Sequence, residues 1–146
     1  ILLMCLGLLG YALALPSVSI AGAIFDAHTL LASTMFIFVG YQTLLFSLFT
    51  KMFAAAEGLL PQDLRITRIY ETVNLERGLI LGAVITLVGL GLISVVLVQW
   101  VESGFGTLNY PDTLRQVIPG VMLAVLGFQT ILASFFVSIL GMRRRP

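Results

Sequence analysis

The sequence predicts an all-α membrane protein with four transmembrane helices, arranged as two duplicated helical hairpins. Three observations carry this. First, 59% of the 146 residues are hydrophobic and 10% are charged, against about 25% charged in an ordinary soluble domain, and the mean hydropathy is +1.07. Second, the charged side chains leave four uncharged stretches, 1–25, 29–50, 78–101 and 116–142, each able to supply the roughly 20 helical residues that cross a hydrocarbon core. Third, GYQT at 40–43 returns as GFQT at 127–130, with Ser47 and Ser134 at the same offset. None of the runs alternates polar and apolar residues as barrel strands do, which argues for helices.

The first span is expected to end near Leu15 and Pro16, because proline removes a backbone donor. Residues 17–25 then read as a re-entrant or loop segment. Asp26 or Thr29 can cap the second helix, which is expected to run past Lys51 and stop at Gly58. Pro61 and Asp63 look like a helix start. From Leu64 to Val73 apolar residues interleave with Arg65, Arg68 and Glu71, predicting a short amphipathic helix at the membrane surface. Asn74 is placed to cap the third span, with Glu76 in its first turn. Trp100 and Tyr110 flank the next loop where interfacial aromatics belong, and Asn109 to Asp112 makes the turn into the fourth span. The whole chain, 1–146, reads as one membrane domain: a first repeat at 1–57, a linker at 58–76 and a second repeat at 77–146. An even number of spans in each unit gives parallel repeats about an axis along the membrane normal.

Orientation follows from Lys and Arg. Seven of the eight, Lys51, Arg65, Arg68, Arg77 and Arg143 to Arg145, fall on one side of a four-span topology, and Arg115 alone on the other. The positive-inside rule then makes both termini and the central linker cytoplasmic. The chain begins at Ile1 within an apolar run, without the basic segment a signal peptide needs. This predicts the C-terminal part of a longer polypeptide.

The polar residues inside the spans raise the functional question. Gly40, Thr43 and Ser47 share a helix face, as do Gly127, Thr130 and Ser134, and Gly78 with Gly82 adds a further small-residue contact. Gln42 and Gln129 fall near mid-span, where an unpaired amide costs several kcal/mol. Interhelical packing through Gln42, Thr43, Ser47, Gln129, Thr130 and Ser134 is the plainer reading, each such bond contributing about 0.6–2 kcal/mol. A polar patch for a lipid phosphate or a transported solute is the sharper one. No Asp, Glu, Lys, Arg or His lies within a span, which tells against an ion-coupled carrier. A stand-alone transporter or lipid flippase and a structural subunit nevertheless stay open as alternatives.

Chemistry-bearing constellations are few. Asp26 beside His28 lacks the further ligands a metal site needs, and a capping acid next to an interfacial histidine accounts for the pair. Neither a catalytic triad nor a phosphate-binding glycine loop is present, so catalytic and metal-binding residues are assigned to none of these positions. Lone Cys5 excludes an internal disulfide. The juxtamembrane basic residues suit anionic head groups rather than nucleic acid, and Arg65, Arg68 and Arg77 are candidate lipid-phosphate contacts because guanidinium groups bind phosphate through paired hydrogen bonds.

DAHTLL at 26–31, GYQTLLFSLFTKMFA at 40–54, EGLLPQD at 57–63, NLERGLILG at 74–82, SGFGTL at 103–108 and GFQTILASFFVSILGMRRR at 127–145 resemble one membrane module. It is the C-terminal domain of bacterial family 2 glycosyltransferases similar to dolichol-phosphate mannosyltransferase and other polyprenyl-phosphate sugar synthases. The resemblance implies an upstream cytoplasmic catalytic domain that binds a nucleotide sugar through an Asp-x-Asp motif and a divalent metal, Mg or Mn. It further implies a polyprenyl phosphate acceptor at the inner leaflet of the inner membrane. No Asp-x-Asp occurs in this chain, so neither a catalytic residue nor a cofactor of its own is carried over. The expected partners are membrane lipids, polyprenyl phosphate, the upstream catalytic domain and, as a candidate, a second copy of the chain.

Overall fold

The computed structural model describes residues 1–16, 19–20, 23–24, 26–59 and 75–142. The expected amphipathic helix with Arg65 and Arg68, the Asn74 cap and Arg143 to Arg145 lie outside the described residues. The described chain folds as α1 (Leu2–Ala14), a short hairpin of β1 (Ser19–Ile20) and β2 (Ala23–Ile24), α2 (Ala27–Ala56), α3 (Leu75–Glu102) and α4 (Tyr110–Met142). The described chain is thus all-helical apart from that hairpin, which pairs Ser19 with Ile24 and Ile20 with Ala23 where the sequence predicts a loop or re-entrant segment.

Three helices, α2, α3 and α4, are long and apolar enough to cross a membrane. Helix α1 has 13 residues and so rises about 20 Å, short of a hydrocarbon core of about 30 Å. It lies against the half of α2 that begins at Ala27. Gly40 packs on the Met4 backbone, Gly7 on the Ser33 carbonyl and Ile37, and Gly10 on the Ser33 hydroxyl, which fixes the two helices antiparallel.

The second hairpin uses the same device. Gly78 packs on the Ser134 side chain, Gly82 on Gly127 and Ile131, and Gly89 on Gly120 and Ala124, so α3 and α4 run antiparallel with backbones in close contact. A methyl group at Gly127 would collide with the Thr86 backbone and hydroxyl and with the Gly82 carbonyl. Without a hydrophobic force between helices in lipid, such close approach supplies the dispersion attraction that holds them.

These contacts consume the small-residue face of each hairpin. The hairpins therefore meet through larger side chains of α2 and α4, and the packing order is α1, α2, α4, α3. Among the described residues the helices thus form an open row. Helices α2 and α4 run parallel and stay in step along the seam. Arg115 meets Asp26 at one end, Leu30 packs with Ile118, the Tyr41 hydroxyl meets that of Thr130, Phe49 packs on Phe136, and Met52 joins Val137 and Leu140 at the other end.

Helix ends follow local sequence chemistry. Helix α2 stops at Ala56, and Gly58 takes φ +73°. Its amide and that of Leu59 bond to the carbonyls of Ala55 and Ala54, satisfying acceptors that the helix leaves free. At the end of α3, Gly104 at φ +66° does the same for Val101, while the Phe105 amide reaches the Trp100 carbonyl. Asn109 accepts from the Thr113 amide and hydroxyl and opens α4.

Candidate functional site

The two mid-helix glutamines come to one place. Gln42 stands midway along α2, and with Phe38, Val39, Thr43, Phe46 and Gln129 it lines an open groove of about 510 Å³ beside the α2–α4 seam. Gln42 is exposed there. The Oε1 atom of Gln129 is enclosed yet has no hydrogen-bond partner. Within the described chain the two amides share a groove without bonding each other.

The hydroxyl groups divide between two tasks. Thr43 donates to the Val39 carbonyl of its own helix at 2.7 Å and stays exposed, and Ser47 is also exposed. Thr130 donates to the Leu126 carbonyl and meets the Tyr41 hydroxyl at 2.7 Å, the one hydroxyl contact that bridges the seam among the described residues. Ser134 is only 4% exposed, donates to the Thr130 carbonyl and fills the space left by Gly78. Of the six polar positions singled out in the sequence, Thr130 and Ser134 therefore lie in helix contacts, Gln129 sits at the edge of one, and Gln42, Thr43 and Ser47 face outward.

Two ends of the helix row carry different charge. At the end formed by the start of α3 and the close of α2, Arg77 and Lys51 are both exposed. At the opposite end Arg115 donates to Asp26 at 3.0 Å. Sequence reasoning placed both of these on one side of the membrane but did not pair them. The signal was that Arg115 is the lone cation of that side. Asp26 stands at the N-cap position of α2, yet its side chain makes no capping hydrogen bond further into the first turn. Instead, contact with the Ala27 amide and with the Arg115 guanidinium holds its carboxyl below the ordinary value of 3.8. At the same end Trp100 and Phe105 pack edge to face, 5.0 Å between centroids, next to a second groove of about 370 Å³ lined by Trp100, Leu108 and Tyr110.

Among the described residues no three His, Cys, Asp or Glu side chains gather as a metal site would require. Gly7, Gly10, Gly89 and Gly120 are contact residues that sequence reasoning passed over. The seven-residue spacings of Gly82 to Gly89 and of Gly120 to Gly127, which return a helix to nearly the same face, could have found the latter pair.

Comparison with known proteins adds the family. The chain is 32% identical over 137 residues to the low-salt glycan biosynthesis hexosyltransferase Agl6 of Haloferax volcanii, an alignment that covers 93% of this chain and 32% of that protein. It thus spans about a third of the length of the curated relative it matches. No solved structure matches. The family model for the glycosyltransferase family 2 C-terminal transmembrane region matches residues 48–141, from the last turns of α2 through α4. The chain belongs to the glycosyltransferase family 2 C-terminal transmembrane regions.

Proposed function

We propose that this chain is the membrane anchor of an enzyme that transfers a sugar from a nucleotide sugar to a polyprenyl phosphate at the cytoplasmic leaflet. The observation that carries the reading is the family match across residues 48–141, joined to a helix row with exposed Lys51 and Arg77 at one end. The glycosyl transfer itself belongs to a catalytic domain elsewhere in the protein, together with its divalent metal. The contribution of this region is positional. By fixing the catalytic domain at the leaflet where the lipid phosphate is presented, it removes part of the entropy cost of bringing two substrates together.

Within this reading both termini are cytoplasmic, and Arg77, Arg68 and Arg65 contact the lipid phosphate. The hairpins are an internal duplication. Supporting this, Gly40 sits on Met4 as Gly127 sits on Thr86, and Gly7 sits on Ser33 and Ile37 as Gly89 sits on Gly120 and Ala124. In α2 and α4 the matching positions differ by one constant step, and in α1 and α3 by another, as two copies of one hairpin would.

The test uses the full-length protein in detergent with polyprenyl phosphate and a panel of labelled nucleotide hexoses. Label passing into the lipid phase supports the reading, and its failure to do so with every donor overturns it. Doubly substituted Arg68→Ala with Arg77→Ala should then raise the KM for polyprenyl phosphate while leaving that for the sugar donor unchanged. An unaltered lipid KM would remove these arginines from the phosphate contact.

A further inference from the structure

The groove that holds Gln42 and Gln129 lies midway along α2, a helix long and apolar enough to cross a membrane, and at the middle of such a span acyl chains offer no hydrogen-bond donor or acceptor. An exposed amide at Gln42 and an enclosed, unpartnered Oε1 at Gln129 are costly in that setting unless another polar group reaches them. Neither amide is satisfied by the packing of the described helices. We infer that a second copy of this chain docks on this face of α2 and supplies hydrogen bonds to the exposed Gln42 amide.

Three features favour a copy over other occupants. All copies insert in the same orientation, so a two-fold axis along the membrane normal brings Gln42 of one chain to the depth of Gln42 and Gln129 of the other without adjustment. An amide carries both a donor and an acceptor, so the patch is complementary to itself. The open face of α2 also has the right spacing. Val39, Gln42, Phe46 and Phe53 recur at intervals of three, four and seven, the period of a helix seam, and Val39, Phe46 and Phe53 are 46%, 69% and 49% exposed. A single polar residue within such an apolar seam fixes register and the number of chains. Thr43, bonded back to its own helix, stands beside it without competing for the amide.

The experiment uses the full-length protein in native membranes, with Cys5 replaced by Ala to leave no other thiol in this region. Single variants Val39→Cys and Phe46→Cys are oxidised and compared with Val84→Cys, which lies on an exposed part of α3. Disulfide-linked dimer is expected at positions 39 and 46 and not at 84. Adding Gln42→Leu should weaken the association about threefold to thirtyfold, the range of one interhelical hydrogen bond, and Gln42→Asn should restore much of it. Because Gln42 is exposed, neither change disturbs the chain's own packing. Dimer no greater than at position 84, dimer insensitive to Gln42→Leu, or cross-linking only to a different protein or to lipid would each overturn the inference. These outcomes do not depend on whether the protein transfers sugar.

Discussion

Arg115 at the start of α4 donates to the Asp26 carboxylate at the start of α2 across 3.0 Å, and this ion pair closes one end of the seam between the two hairpins. The two residues stand 89 positions apart, the same separation as Tyr41 and Thr130 further along the seam. Two parallel helices in constant register bring about both contacts.

The carboxyl of Asp26 is held below its ordinary value of 3.8, so its contribution to stability is fully present above that pH and is lost as pH falls through the lower folded value. Asp26→Asn should accordingly lower the Tm of the detergent-solubilised protein at pH 7. The difference from the unsubstituted protein should shrink as the pH is taken below 3.8. A gap that persists unchanged in acid would assign the loss to something other than the ionised pair.

Tyr41 and Thr130 should show coupling in a double-mutant cycle. Tyr41→Phe removes the hydroxyl that meets Thr130 while keeping the ring, and Thr130→Val removes its partner. Each single change is expected to cost about 0.6–2 kcal/mol in a reversible unfolding assay, and the second change should cost less once the first is made. Strictly additive losses would mean that the contact carries no energy.

Glycines on α3 and α4 should separate sharply by position. Gly127→Ala places a methyl group into the Thr86 backbone and the Gly82 carbonyl, atoms that cannot yield without moving a helix, and a loss of about 1–3 kcal/mol or more is expected. Gly91→Ala meets nothing within 4 Å and should be neutral or gain about 0.5–1 kcal/mol from helix propensity. Unfolding in a graded series of denaturing detergent compares the two directly.

Gly58→Ala should fray the end of α2. Its φ of +73° is a left-handed conformation that costs a residue with a Cβ about 1–2 kcal/mol. Faster limited proteolysis next to Leu59, with the rest of the helix still protected, is the expected readout.

Much of this architecture is legible residue by residue. The uncharged run at 78–101 announces α3, Gly58 announces where α2 stops, and Gly78 with Gly82 announces a close contact, because each depends on chemistry local to one helix. Gln42 and Gln129 could be recognised as costly for the same reason, since the expense of an amide in hydrocarbon depends only on its depth.

Which residue meets which was settled only by tertiary structure. Sequence alone determined an α-helical membrane chain, the places where its long helices lie and the small-residue faces that let backbones approach. The three-dimensional packing decided that α2 and α4 form the seam, that Arg115 takes Asp26 away from a capping role, and that Gln42 stays open beside Gln129 instead of bonding to it. The reason is physical. Hydropathy and helix capping are properties of a single segment, whereas the rotation and register of one helix against another depend on the combined shape of two surfaces, and in lipid no hydrophobic force picks out one face of an apolar helix over the rest.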